Sequence, residues 1–218
     1  MTGAVLWDLD GTLVDSEEYH WRAWQQTMSA EGVVLTREKF LATFGQRNDS
    51  ILRQWLGRDS TAERIQRIAD SKEELYRRIV SQDRLAPLPG VAEWVKRLAS
   101  EGWVQAVASS APRANVEVVL QILALTPYFL AVASAEDVSR GKPDPEVFLT
   151  AAARLKVAPA QSIVVEDAAA GIEAGRRAGM RSIGVSRNGA PLAADLVVRS
   201  LAGMPSDAFA DLLRMPLR

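Results

Sequence analysis

The chain has 218 residues, 48% apolar and 24% charged, with 27 acidic against 26 basic side chains. That suits one large globular domain or one domain with an insertion, and singles out neither nucleic acid nor an anionic membrane as partner. The absence of cysteine excludes disulfides, cysteine-ligated zinc and thiol nucleophiles, and a lone histidine, His20, excludes a cage of several histidines.

The first residues run into an apolar segment without a basic leader, so no signal peptide is expected. No stretch reaches the roughly 18 apolar residues of a membrane span. The expectation is a cytoplasmic, monomeric protein. Ala4 to Leu9, interrupted by Asp8 and followed by Gly11, reads as a buried strand ending in a polar loop. Helical signals then dominate: Asp15 to Ala30, Arg47 to Leu56 and Ser60 to Ser81, with capping-box spacings at Asp15/Glu18 and Ser60/Glu63. After the turn-prone Leu85–Gly90, helices and strands alternate. Val91–Ser100 reads as helix, Val104–Ser109 as strand, Arg113–Leu123 as helix and Leu130–Ala133 as strand. Asp144-Pro145 opens a helix to about Leu155, with Asp144 as its cap. Ser162–Val165 (strand), Ala168–Ala178 (helix), Arg181–Val185 (strand), Asp195–Val198 (strand) and Asp207–Arg214 (helix) complete the chain.

This alternation predicts an α/β fold, a doubly wound, Rossmann-like parallel sheet covered on both faces. The all-helical stretch after the first strand reads as an insertion. Residues 1–14 and 84–218 would form the core and 15–83 a helical cap, hinged near Val14 and Arg84.

Ligands of open parallel sheets bind beyond the carboxyl ends of the strands. There the sequence places Asp8 and Asp10 in one loop, Ser109 and Ser110 in a second and Glu166 and Asp167 in a third, with Lys142 in the loop opening a helix. Carboxylates with few competitors suit Mg²⁺, which would screen their repulsion from a phosphate. Lysine supplies a point charge for that phosphate, and a carboxylate attacking phosphorus divides one hard step into two. Blander roles exist for the same residues: Asp10-Gly11 is a common turn, and Glu166-Asp167 could cap the following helix.

Four segments, Asp8-Leu9-Asp10-Gly11-Thr12-Leu13-Val14-Asp15-Ser16, Ser109, Gly141-Lys142-Pro143-Asp144-Pro145 and Glu166-Asp167, resemble in order the four motifs of the haloacid dehalogenase-like superfamily. The likeness is to its group with a helical cap after the first motif, which includes sugar-phosphate phosphatases and β-phosphoglucomutase. The resemblance implies Asp8 as nucleophile and Asp10 as general acid and base. It implies Mg²⁺ held by Asp8, the backbone carbonyl of Asp10 and Asp167, with Glu166 a further ligand or a neighbour of one. Thr12, Ser109 and Lys142 correspond to phosphate-binding groups. An aspartate at position 10 counts against a dehalogenase, which has no need of that acid.

In the cap, Ile65, Ile68, Leu75 and Ile79 form an apolar stripe at helical spacing, with Lys72 in its midst. Lys72 either snorkels past the core edge or points into the cleft. Trp21, Trp24 and Met28 read as cap core. Lys72, Arg47 and His20 resemble cap residues of β-phosphoglucomutase, Arg47 standing where that enzyme holds its substrate's second phosphate; ordinary packing roles stay open for all three. Ser110-Ala111-Pro112-Arg113 departs from the Ser-Lys-Asn-like run of the mutases, and leaves open whether Ser110 or Arg113 touches substrate. The expected function is Mg²⁺-dependent hydrolysis of a small phosphomonoester through an aspartyl-phosphate. β-Phosphoglucomutase is the alternative and a non-catalytic binding protein a distant one.

Overall fold

A computed structural model describes residues 3–57, 59–83 and 85–216; the hinge expected at Arg84 lies outside them. Strands β1 (Ala4–Trp7), β2 (Val104–Ala108), β3 (Ala131–Ala133), β4 (Ser162–Glu166), β5 (Arg181–Val185) and β6 (Leu196–Val198) form one sheet. Their order is β3-β2-β1-β4-β5-β6 and every neighbouring pair is parallel. The helices are α1 (Glu17–Ala30), α2 (Arg37–Leu41), α3 (Asn48–Leu56), α4 (Ala62–Gln82), α5 (Val91–Ser100), α6 (Arg113–Ile122), α7 (Glu146–Leu155), α8 (Ala169–Arg177) and α9 (Ala208–Arg214).

Successive strand residues face opposite sides of a sheet. Val5, Trp7, Val107, Ile163 and Val165 accordingly pack on one side, against Trp94 and Leu98 of α5, Val116 and Leu120 of α6, and Phe209 of α9. Leu6, Ala106, Ala108 and Val164 face the other side, against Phe148 and Ala151 of α7 and Ala174 of α8. Alanines on β2 leave room for Phe148. Full burial of side chains of this kind contributes about 1.5–3 kcal/mol each. The polar Gln105 is buried inside β2 because both ends of its amide are engaged: Trp7 Nε1 donates to its Oε1 at 3.0 Å and its Nε2 donates to the Val95 carbonyl at 2.9 Å.

Between β1 and α5 the chain forms helices α1–α4. Trp24, Met28, Phe40, Leu52, Trp55 and Ile68 make a cluster of their own, as expected for Trp24 and Met28, with Trp21 partly buried against it. The far end of α4 (Tyr76, Ile79, Val80) joins the core of the sheet instead. Two details differ from the sequence reading. The caps of α1 and α4 are Ser16 and Thr61, one residue beyond each expected box; Thr61 accepts from the Arg64 amide at 3.2 Å, whereas Ser16 spends its hydroxyl elsewhere. Pro145, not Asp144, caps α7, while the Asp144 carboxylate accepts from the Glu146 amide at 3.1 Å. The five-residue α2, capped by Thr36, is too short to carry a periodic signal.

β1 is where the strand order reverses, with β2 and β3 to one side and β4 to β6 to the other. The crevice beyond the carboxyl ends at such a reversal is where doubly wound sheets bind ligands.

Candidate active site

The loop after β1 is fixed before its side chains are. The Asp8 amide donates to the Val165 carbonyl at 3.0 Å, and the amides of Leu13 and Val14 return to the Leu9 carbonyl at 2.9 and 3.2 Å. Gly11 closes this turn with φ of 86°, where a Cβ would lie 2.0 Å from Asp167 Oδ2. Glycine is thus required twice, for the backbone and for the approach of the β4 loop. Gly171 plays a matching part on α8, since a Cβ there would lie 1.7 Å from Glu166 Oε1.

Lys142 is the hub. Its Nζ donates to Asp8 Oδ1 at 2.5 Å, Glu166 Oε1 at 2.8 Å and the Ala108 carbonyl at 3.2 Å, using all three donors. Burial works against this ammonium, but Asp8 and Glu166 outweigh it and raise its pKa above the ordinary value. Burial also pushes the Asp8 carboxyl well above its usual range against the pull of Lys142, with Glu166 and Asp167 adding to the rise. Burial and then the Glu166 carboxylate push Asp167 up to about 7.

Asp8, Glu166 and Asp167 bring carboxylate oxygens within 4.8 Å of one another. An all-oxygen set with few protein ligands suits Mg²⁺, and three crowded carboxylates with one lysine between them leave negative charge for a cation to neutralise. Both Glu166 oxygens already hold donors, Lys142 on Oε1 and the Ala168 amide on Oε2 at 2.6 Å, so Glu166 chiefly orients its neighbours. Among the described residues Asp167 has no such partner.

The Asp10 side chain turns toward the helical insertion. Its Oδ1 accepts from Ser16 Oγ at 2.5 Å and lies 3.2 Å from His20 Nε2. Burial would raise Asp10, but His20, Ser16 and Lys72 together hold it below its ordinary value. On its other side, His20 Nδ1 lies 2.8 Å from Lys72 Nζ. A lysine only donates, so both contacts are satisfied by the tautomer with its proton on Nε2. The imidazole stacks on Tyr76, centroids 4.0 Å apart.

Lys72 does not snorkel to solvent: it lines the pocket beside Asp10 from a buried position, paired with Glu73 at 2.8 Å and over the rings of Trp24 and Tyr76. Arg47 Nη1 donates to the carbonyls of Ala135 and Val138 at 2.7 and 3.0 Å, tying the start of α3 to the loop beyond β3. Ser109 is buried with its Oγ accepting from the Ala111 amide at 3.0 Å, which leaves its hydroxyl hydrogen for an incoming oxygen. Thr12 is not drawn into this set; among the described residues its buried hydroxyl has no partner, and the residue lines a separate small cavity with Leu88, Val185 and Leu201. Ser110 lines the pocket beside Asp10, while Arg113 points away to Asp137 at 2.5 Å.

Sequence reasoning missed Ser16, Glu73, Asn48 and Asn115. Ser16 stood inside the first motif but read only as part of a helix start. Glu73, beside Lys72, has no sequence signal that separates it from an exposed helix charge.

Fold and site together define a hydrolase with carboxylates at the strand ends and a helical insertion above them. The chain belongs to the family described as haloacid dehalogenase-like hydrolase, whose model matches residues 5–185. Within it the chain falls in the group of sugar-phosphate phosphatases and phosphomutases, and it is an enzyme. It is 34% identical to β-phosphoglucomutase of Bacillus subtilis over 92% of this chain and 91% of that protein. It is also 34% identical to hexitol phosphatase B of Escherichia coli strain K12, over 83% and 82% of the two chains. The crystal structure of β-phosphoglucomutase from Clostridium difficile matches with a TM-score of 0.88 at 27% identity, covering 98% of this chain and 97% of that one. Among the described residues, no helix is long and apolar enough to cross a membrane.

Proposed function

We propose that the protein is a Mg²⁺-dependent phosphatase that hydrolyses a small phosphomonoester, a sugar or polyol phosphate, through a phosphorylated Asp8. The observation that carries this reading is the triple hold of Lys142 on Asp8, Glu166 and the end of β2, with the Asp10 carboxylate held on the insertion side by Ser16 and His20. Asp8, Asp167 and the Asp10 backbone carbonyl would hold the metal, which supplies charge neutralisation for an anion meeting carboxylates.

The Asp8 carboxylate attacks phosphorus while the bond to the leaving oxygen breaks. Lys142 fixes the rotation of that carboxylate, and Ser109 offers a hydroxyl to a phosphoryl oxygen. Asp10 gives a proton to the leaving alkoxide, then takes one from the water that attacks the aspartyl-phosphate, releasing inorganic phosphate and restoring Asp8. Ser16 and His20 favour the basic form of Asp10 needed in the second half; the charge of an arriving phosphate favours the protonated form needed in the first. Residues 15–83 act as a cap that excludes bulk water, with His20 and Lys72 lining the leaving-group side.

β-Phosphoglucomutase is the second reading, favoured by the 34% identity to the Bacillus subtilis mutase. Against it stands the Nη1 of Arg47, which goes to two core carbonyls rather than to a substrate phosphate.

The deciding experiment incubates the protein with Mg²⁺ and a panel of hexose and hexitol phosphates. Steady release of inorganic phosphate, abolished in Asp8→Asn, is the expected result. Conversion of β-glucose 1-phosphate to glucose 6-phosphate, dependent on a bisphosphate primer and with little free phosphate, would favour the mutase instead.

A further inference from the structure

We infer a second ligand site, apart from the active site: the cavity between Thr12 and the ends of β5 and β6 takes a short hydroxylated carboxylate, held at its charged end by Arg187 and Arg199.

β5 and β6 are parallel neighbours with Val185 opposite Val198, and the Ser186 amide continues the pairing by donating to the Val198 carbonyl at 2.8 Å. Two strands running the same way in register release their next residues at the same edge of the sheet. Arg187 and Arg199 follow those ends closely, and both border one cavity. A further wall is the chain returning from the helical insertion, held where the Leu88 amide donates to the Leu13 carbonyl at 3.0 Å. No residue lining this cavity also lines the pocket beside Asp10.

The lining grades from charged to apolar. Arg187 and Arg199 are exposed at the rim, while Val91, Val185 and Leu201 are buried within. No acidic residue lines the cavity. Arg187 Nη1 donates to Asp15 Oδ2 at 2.5 Å, and its other N–H groups remain for a second acceptor. Among the described residues no carboxylate pairs with Arg199. Guanidinium groups suit a carboxylate, which takes their N–H groups in pairs.

The apolar walls suit a hydrocarbon chain behind that head and offer nothing to a bare inorganic anion. The enclosed volume is about 100 Å³. A cavity of about 150 Å³ takes benzene, so this one holds a chain of about four carbons. Thr12 then decides the far end. It is buried, and among the described residues its hydroxyl has no hydrogen-bond partner. A buried hydroxyl left unpaired is costly, and an oxygen on the inner end of the occupant relieves it.

The test titrates the full chain with 4-hydroxybutyrate, butyrate, acetate and butanol, following the methyl resonances of Leu88, Val91, Val185 and Leu201. Tightest binding is expected for 4-hydroxybutyrate. Butyrate, without the hydroxyl, should bind at least threefold more weakly. Acetate, without the chain, and butanol, without the charge, should each fall at least tenfold below 4-hydroxybutyrate. Arg199→Gln should weaken both four-carbon acids at least fivefold. Thr12→Val should bind the two alike, with butyrate held as in wild type. The inference is overturned if no probe shifts these methyl groups saturably, or if Arg199→Gln binds 4-hydroxybutyrate as wild type does. Acetate binding as well as 4-hydroxybutyrate would reduce the site to a surface anion contact and overturn it too. Equal binding of the two four-carbon acids by wild type would remove Thr12, and the hydroxylated class with it. Binding is read without turnover, so failure here and failure of the phosphatase reading are separate results.

Discussion

Lys142 and Asp8 stand 134 positions apart and meet at 2.5 Å, with Glu166 on the other side of the same ammonium at 2.8 Å. One cation is thereby shared between a carboxylate just beyond β1 and one at the end of β4, and its pull opposes the burial that raises the Asp8 carboxyl. The pairing binds the first two strands of the crevice as firmly as it prepares Asp8 for attack.

Replacing Lys142 with methionine leaves two buried carboxylates facing one another without a counter-charge. Removing one partner of a buried ion pair costs about 3–5 kcal/mol. Urea denaturation at pH 7 is expected to show a loss of that order in Lys142→Met, and phosphate release to fall at least a hundredfold. An Lys142→Arg variant does not restore activity, because a planar guanidinium cannot place three donors on the three oxygens that Nζ serves. Wild-type turnover in Lys142→Arg would refute the assignment.

Much of this site was legible in the sequence because strand ends are legible. A short apolar run closed by a carboxylate fixes a side chain to the sheet edge, and parallel topology brings Asp8, Ser109, Asp167 and Lys142 to one edge without further information. The insertion was legible as a block of helices, and Trp24 and Met28 as its core. Its contacts were not. Glu73 and Asn115 meet only because α4 leans on α6, and no periodicity in either helix encodes that crossing. The contacts of Arg47 were hidden for the same reason: an arginine that reaches backbone carbonyls looks, in sequence, like one that waits for a phosphate. Ser16 shows a third kind of loss, a helix-start hydroxyl whose acceptor is Asp10 rather than its own helix.

Gly11→Ala tests the turn and the β4 loop together. The left-handed backbone there costs a non-glycine residue about 1–2 kcal/mol, and the added methyl group collides with Asp167. Asp167 must therefore move away. The Mg²⁺ concentration giving half-maximal activity should rise at least tenfold, with only a modest fall in melting temperature. An unchanged Mg²⁺ requirement would show that Asp167 does not serve the metal.

Asp137 gives a pH-dependent prediction remote from the site. Its carboxylate accepts from Arg154 at 2.6 and 2.8 Å, Arg113 at 2.5 Å and Ser134, and the Arg154 contacts lead in holding its pKa far below the ordinary carboxylate range. A depressed folded value means stabilisation that is complete above the unfolded pKa, about 3.9, and lost as the pH falls through the folded one. Charged hydrogen bonds of this kind contribute about 1.5–3 kcal/mol. Wild type should exceed Asp137→Asn by about that margin at pH 7, and the gap should close steadily below pH ~4. A gap independent of pH would mean that the arginine contacts contribute nothing through charge.

Arg47→Ala separates a strap from a phosphate ligand. Arg47 reaches from the start of α3 to two carbonyls beyond β3, so its loss unties the insertion from the core on that side and leaves those carbonyls without their donor. Each lost hydrogen bond costs about 0.5–1.5 kcal/mol net, and partial exposure of the loop lets water replace part of it. The variant should therefore show a lowered melting temperature and faster amide exchange around Ala135 and Val138. It should also show a raised KM for every substrate by a similar factor, because closure of the insertion precedes chemistry whatever lies beneath it. A phosphate ligand would behave differently: KM would rise steeply for bisphosphates, barely for monophosphates, and amide exchange near Ala135 would not change. The uniform pattern is expected here, and the selective one would return Arg47 to substrate recognition.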